Sequence, residues 1–462
     1  MRKPRLDIRH MALAALLLLA AGPALAAPVK LPPVTKATLG NGLQVYVMPT
    51  HRLPLVAFRL VARAGSVDDP AGKEGLALLT AALLTQGAGR RDAQQIAEDV
   101  AFVGGTLGAY AANEQLVVTC KVLTKDFDTG LELFRDVIVS PAFAAAEFGR
   151  KQDETLGDLA AMKDQPAQVA NSELAAFLLG GSPLGHPTQG WTRSVSAITR
   201  EDVAGFHRRF IVPDRAMLAV VGDVDPRRVV AALERAFAGW KPSGQKSGGA
   251  YTAPARDGRR EVLVVSKPEV TQTQFRLACI GVPRNDPDYY AILLANTALG
   301  GGFTSRLVNE IRVNLGLTYT IRSRFTTFRH AGVFAISSFT KNATLRKAID
   351  ATLGEVRKLV DQGPTEAELA KVKRFLTGQF PLGLQAPDDL AAQVLDAAFY
   401  GLEPDYVERF AERINAVTMA DAKRVLKKHF CVDDLKILVV SNPETARQAL
   451  EGLGPIRVKE MD

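Results

Sequence analysis

Two side chains seven positions apart, Arg312 and Tyr319, offer the clearest chemistry in this 462-residue chain. A guanidinium and a phenol both donate hydrogen bonds, and together they suit an oxygen that carries or develops negative charge. They lie in GGGFTSRLVNEIRVNLGLTY, residues 300–319. The glycine run tolerates positive φ and admits another chain closely, so it predicts a loop with open space above it, ahead of a helix. Thr304 or Ser305 is the expected N-cap. Leu307, Val308, Ile311 and Leu315 recur at helical spacing and should face a core, which leaves Arg306, Asn309 and Arg312 on the open face. Gly316 is the expected stop. LTYTIRSRF then alternates like a half-buried strand, so Tyr319 should sit just past a turn and within reach of Arg312.

Other reactive residue types form no constellation. His51, His186, His207, His330 and His429 are isolated, without metal-ligand spacing, and read as surface or loop histidines. Cys120, Cys279 and Cys431 are far apart, and Cys120 and Cys279 lie in strand-like apolar runs. An odd count cannot all pair, so buried free thiols are expected. No Ser/His/Asp or Cys/His arrangement can be assembled from the spacing. A formal charge of +8 with no block of like charge and no basic stripe gives nucleic acid no footprint.

The elements that must position Arg312 and Tyr319 follow a repeat. Arg2, Lys3, Arg5 and Arg9, an apolar run over 11–21 and Ala24-Leu25-Ala26 read as an export leader over 1–26, cut near Ala26. The mature chain then begins near Ala27, the expected address is the bacterial periplasm, and no later stretch has the length a bilayer needs. Strand-like runs at 43–48 and 55–63 precede helical patterns at 72–84 and 92–103, a hairpin at 104–123, and helices at 124–139, 144–162 and 167–178. After the loop SPLGHPTQGW come a helix at 200–209, the strand AMLAVVGDV and a helix at 225–237. Residues 241–260, rich in Gly, Ser, Pro and charge, read as a linker. FRL at 58–60 then recurs at 275–277, and Asp69-Pro70 recurs as Asp286-Pro287, both at an offset of 217 residues. AMLAVVGDVDP and LKILVVSNPET close the two copies in the same way. Residues 27–240 and 261–462 are therefore two homologous halves of an α+β fold. Each is expected to be an antiparallel-rich sheet with helices packed on one side, the pair forming a clam-shell cleft suited to a large substrate.

The repeated halves, GLALLTAALLTQG, the SPLGHP loop, VVGDVDP and above all SRLVNEIRVNLGLTY resemble the pitrilysin and insulinase type of zinc peptidases, in the branch of mitochondrial processing peptidase. The resemblance spans essentially the whole mature chain. It implies a first half with H-x-x-E-H on a helix, a later glutamate completing the zinc site, and a second half whose arginine and tyrosine hold substrate at the metal. This chain departs from that pattern: Leu78, Ala81 and Ala82 stand where the histidines and the base belong, and the later ligand falls near Asp158. One carboxylate cannot hold zinc tightly. Arg312 and Tyr319, by contrast, match the family's pair, and GGTLGAYAANE resembles its edge strand for the substrate backbone.

What the resemblance implies is a zinc-less subunit, inactive alone and binding no cofactor itself. It would contribute to metalloendopeptidase activity in a heterodimer with a homologous zinc-bearing chain and would take peptide or unfolded protein as substrate. The rival expectation is a stand-alone peptide-binding or scaffold pseudoenzyme.

Overall fold

The strand order of one half recurs in the other, and the repeated FRL motif falls at the same place in both. The computed structural model describes residues 30–244, 251–252 and 254–461. The leader expected over 1–26 and part of the expected linker lie outside the described residues.

The first half runs β1 Thr35–Thr38, β2 Gln44–Pro49, β3 Leu55–Ala62, α1 Leu76–Leu84, α2 Ala93–Phe102, β4 Thr106–Ala111, β5 Leu116–Leu123, α3 Phe127–Val139, α4 Ala145–Met162, α5 Pro166–Leu179, α6 Thr192–Ala197, α7 Arg200–Phe210, β6 Ala216–Gly222 and α8 Pro226–Phe237. The second continues with β7 Val262–Ser266, β8 Gln272–Ile280, α9 Tyr289–Asn296, β9 Ile321–Thr327, β10 Gly332–Lys341, α10 Leu345–Gln362, α11 Glu366–Gln379, α12 Pro387–Tyr400, α13 Phe410–Ala416, α14 Met419–His429, β11 Lys436–Ser441, α15 Pro443–Leu450 and β12 Ile456–Glu460.

Two six-stranded sheets result, ordered β1-β2-β6-β3-β5-β4 and β12-β7-β11-β8-β10-β9. Each has a parallel pair at its heart, β2 with β6 and β7 with β11. Phe58 of β3 sits opposite Val220 of β6, and Phe275 of β8 opposite Val439 of β11, so the two FRL motifs share a register. One edge differs. The N-terminal β1 lies antiparallel on β2, whereas the C-terminal β12 lies parallel on the equivalent β7.

The central strands are buried on both faces, which is why β3 and β6 read as nearly continuous apolar runs. On one face Val56, Phe58 and Leu60 join the core formed by their own half's helices. The other face is covered by a helix from the other half. Leu390, Ala391, Leu395 and Phe399 of α12 pack on Val61, Met217, Ala219 and Val221. Reciprocally, Val169 and Ala170 of α5 pack on Leu263, Val265, Leu438 and Val440. Helices of one half on one side of its sheet are thus as expected, and the exchanged helix covers the remaining side.

Polar contacts secure the exchange. Arg276 of the second FRL donates from Nε to Asn171 Oδ1 at 3.0 Å and from Nη2 to the Ala167 carbonyl at 3.0 Å, both on α5. Its repeat-mate Arg59 donates to the Tyr110 hydroxyl at 2.7 Å instead. Lys121 pairs with Asp388 of α12 at 2.8 Å, and Lys459 with Glu173 of α5 at 2.8 Å. Buried Glu114, at the β4–β5 turn, accepts from the Tyr251 hydroxyl at 2.7 Å and from the Arg329 amide at 2.9 Å, in the equivalent β9–β10 turn.

Two sequence readings are corrected. Cys279 and Cys431 are disulfide-bonded with Cα atoms 6.5 Å apart, because β8 ends beside the turn that follows α14; Cys120 alone is the buried free thiol. The linker is also less loose than its composition predicts. Among its described residues, Ser243 Oγ donates to Asp214 at 2.9 Å and Arg256 to three carbonyls of the second half. Among the described residues, no helix is long and apolar enough to cross a membrane.

Candidate functional site

Arg312 rides on a helix over 306–314 that follows the glycine run. Gly300 and Gly301 close a π-helical turn at the end of α9 rather than forming an open loop. A Cβ on Gly300 would meet the Ser323 amide nitrogen of β9 at 2.7 Å, so only glycine permits this approach of turn to strand. The expected cap is absent: Ser305 Oγ is buried with no hydrogen-bond partner, and the Thr304 carbonyl is instead engaged by Lys371 Nζ and Asn309 Nδ2.

The helix has the predicted inner face, with Leu307, Val308 and Ile311 buried. Its outer face is not uniform. Arg306 is clamped to α11, donating from Nε and Nη2 to the two carboxylate oxygens of Glu368, each at 2.7 Å, and to the Gly363 carbonyl at 3.1 Å. Hydrogen bonds from Arg306 pull the Glu368 carboxyl down to about 2. Residues 308–314 are wound as a π-helix, closed by a hydrogen bond from the Leu315 amide to the Glu310 carbonyl at 2.9 Å and by Gly316 at φ +60°. The extra residue per turn re-aims the last positions relative to ordinary helical spacing. Arg312 has its guanidinium 5.2 Å from the centre of the Phe303 ring, a ring that is 77% exposed. Tyr319, just ahead of β9, is 80% exposed. Neither forms a hydrogen bond or ion pair among the described residues, with each other or with anything else; the aromatic partner of Arg312 is Phe303, which spacing alone did not reveal.

In the first half, α1 carries the positions of the expected metal ligands. It is capped by Asp69, whose carboxylate accepts from the Gly75 and Ala77 amides at 2.8 Å each; burial pushes this carboxyl up to about 7 against those two bonds. The loop SPLGHPTQGW crosses the helix start so closely that a Cβ on Gly190 would fall 1.9 Å from the Glu74 carbonyl oxygen, and Ser194 Oγ donates to that same oxygen at 2.8 Å. The helix is firmly seated. Leu76, Ala77, Leu79, Ala81, Leu83 and Leu84 are buried, while Leu78 and Ala82 share the more open side. Asp158 lies exposed on the adjoining α4. These positions supply one carboxylate between them where zinc takes about four ligands or, in catalytic sites, three and a water. They do not fit a zinc ion.

The five histidines among the described residues are each accounted for. His186 Nδ1 donates to the Pro187 carbonyl and His207 Nε2 to the Ile138 carbonyl, His51 pairs with Asp223, and His330 meets the Tyr251 ring edge-on. His429 donates to Asp288 at 2.9 Å within a group that also brings Asp286 close enough to share an ion. Asp288 is already satisfied by Arg424 at 2.7 Å and Lys428 at 3.0 Å. Burial alone would raise its pKa, but bonds from His429, Lys428 and Arg424 hold it well below the usual carboxylate range. Two resident ammonium-type charges would oppose a divalent cation there, so this is an ion-pair cluster.

Fold and site together define a duplicated α+β scaffold whose helix α1 carries leucine and alanine at positions 78, 81 and 82 and whose second half presents an arginine and a tyrosine. Known proteins share it. Residues 47–190 match the family described as Insulinase (Peptidase family M16), and residues 197–376 match the Peptidase M16 inactive domain. The chain is 30% identical over 355 residues to an uncharacterized zinc protease of Mycobacterium leprae, covering 76% of this chain and 79% of that one. It is 25% identical over 425 residues to a probable mitochondrial-processing peptidase subunit beta of Arabidopsis thaliana, covering 88% and 78%. The crystal structure of a peptidase M16 inactive domain from Pseudomonas fluorescens superposes with a TM-score of 0.83 at 28% identity, covering 88% of this chain and 98% of that chain. The chain belongs to the insulinase family, peptidase family M16.

Proposed function

We propose that this chain is the zinc-less subunit of an exported, heteromeric M16 peptidase. It grips peptide and lends Arg312 and Tyr319 to the active site of a homologous partner that carries H-x-x-E-H and zinc. One observation carries the reading: the ligand positions of α1 hold leucine and alanine, while Arg312 and Tyr319 keep their donors unpaired at the surface. On the same helix Arg306 is locked in a bidentate pair, so the freedom of Arg312 is not a general property of that face. A guanidinium and a phenol left unpaired can both donate to one peptide carbonyl oxygen and hold it as negative charge develops. The uncharged edge strand β4, TLGAYA, supports gripping of extended peptide through main-chain bonds. The leader-like 1–26 supports export to the periplasm.

The test begins with the chain alone, which is expected to contain no stoichiometric zinc and to cut no peptide. Mixed with a homologue bearing H-x-x-E-H, it should support cleavage of an unfolded protein substrate. Full activity of the mixture with Arg312→Ala or Tyr319→Phe would sink the in-trans role. Tight peptide binding by the chain with no partner required would favour the scaffold reading instead.

A further inference from the structure

We infer that Cys279 and Cys431 are an oxidative maturation site, and that their disulfide, together with Arg256, forms a clasp fixing the exit of the linker to the second half. Three observations converge. The two residues are 152 positions apart in sequence, yet their Cα atoms lie 6.5 Å apart, within the reach of a bridge. Cys431 is held at φ +50°, in the left-handed region that a side chain disfavours, one of two such non-glycine residues among those described. The Arg256 guanidinium joins the same two segments as the bridge. Its Nε donates to the Ile280 carbonyl at 2.8 Å, next to Cys279, and its Nη1 and Nη2 donate to the Lys428 and His429 carbonyls at 3.2 Å, beside Cys431.

One side of this clasp is the linker's last described stretch, the other the strand β8 and the end of α14. The bridge adds a covalent tie between the turn 431–434 and β8, beside the antiparallel ladder of β11 on β8 and the contacts of Arg256. The third thiol takes no part: Cys120 is buried, and burial pushes its pKa up to about 12. A shallow cavity of about 220 Å³, lined by Cys279, Ile280, Arg256 and Lys436, opens beside the bridge and gives an oxidant or reductant its approach.

The chemistry balances as thiol–disulfide exchange. One cysteine thiolate attacks the disulfide of a thiol oxidoreductase and forms a mixed disulfide. The other then displaces it. Two protons and two electrons leave the cysteine pair, and the oxidoreductase departs as its dithiol. Such a bond persists in oxidising compartments, so the clasp rests on the export reading proposed above.

The experiment counts thiols on full-length protein purified without reductant from the exporting compartment, with leader removal checked by mass on the same sample. The native protein should show no reactive thiol, the denatured unreduced protein one, and the denatured reduced protein three. A peptide map should join Cys279 to Cys431. Three thiols before reduction, or a bond between copies on a non-reducing gel, would overturn the clasp; with a cleaved leader, that result leaves export standing. Adding a dithiol should lower Tm by about 5–15 °C. The Cys279→Ser/Cys431→Ser double variant should melt at that lower temperature with or without dithiol; melting like the parent would overturn the role. Arg256→Ala removes three hydrogen bonds to the two segments and should quicken reduction of the bridge at least about tenfold, and an unchanged rate would remove Arg256 from the clasp.

Discussion

The helix α1 and the helix over 306–314 make an instructive pair, one from each half. The first is almost wholly turned inward, its ligand positions occupied by Leu78, Ala81 and Ala82. The second spends Arg306 on a bidentate pair with Glu368 and leaves Arg312 and Tyr319 free. Random loss of function would erode both regions alike. What differs is that the first half packs leucine and alanine at positions 78, 81 and 82 within an ordered seat that includes the Asp69 cap and the tight crossing at Gly190. The second half has kept donors that no internal acceptor uses.

The largest expected effect comes from reversing that contrast. If α1 is a preserved seat without ligands, Leu78→His with Ala82→His, one turn apart on its more open side, combined with Asp158→Glu on α4, should create a three-ligand zinc site. Metal analysis of the isolated chain is expected to move from none to about one zinc per chain; no gain would mean that the seat as well as the ligands has been lost. Next in size, Arg312→Ala should lower kcat/KM of the assembled enzyme by about 100-fold. Tm should stay within about 2 °C, since the half-buried Arg312 makes no hydrogen bond or ion pair among the described residues and stacks only on the exposed Phe303 ring. A large fall in Tm would make Arg312 structural and collapse the distinction from Arg306.

The same distinction gives Arg306→Ala the opposite signature. It strands a half-buried Glu368 and should cost about 2–3 kcal/mol in denaturant unfolding. Because Glu368 is depressed to about 2, its contribution is present above the unfolded carboxyl pKa and fades as pH falls from about 4.5 toward 2. The variant and the parent should therefore converge at low pH. The smallest effect belongs to Asp69. Its folded pKa lies above its unfolded value, so its stabilisation is complete only below the unfolded carboxyl pKa of about 3.8 and is lost progressively as pH rises through about 7. Asp69→Asn should flatten the loss of stability between pH 5 and pH 8, a change on the order of 1 kcal/mol; an unaltered slope would assign that pH dependence elsewhere.

Local patterns made the halves legible. Phe58 and Phe275 fall in equivalent central strands because apolar runs buried on both faces leave a strong signature, and Asp69-Pro70 and Asp286-Pro287 introduce equivalent helices. Long-range facts left no such trace. Arg306 and Arg312 look alike at helical spacing, and Glu368, 62 residues further on, decides which is clamped. The π-helical winding of 308–314 is not encoded in a period of 3.6, and among the described residues no hydrogen bond joins Tyr319 to Arg312. Cys279 and Cys431 gave no hint of pairing because 152 residues separate them. Apolar faces on α5 and α12 announced burial without naming the sheet that buries them.

The exchanged helices have a consequence for how the chain comes to be folded. The sheet of the first half is complete by Gly222, but the face bearing Met217, Ala219 and Val221 waits for α12 at Pro387–Tyr400. A nascent chain therefore carries an uncovered apolar surface from Gly222 until Pro387–Tyr400 is made, a state prone to aggregation. The export proposed above, as an unfolded thread, would remove that hazard by deferring folding until the C-terminus arrives. It also explains why neither half, severed at the linker, should yield a soluble fragment.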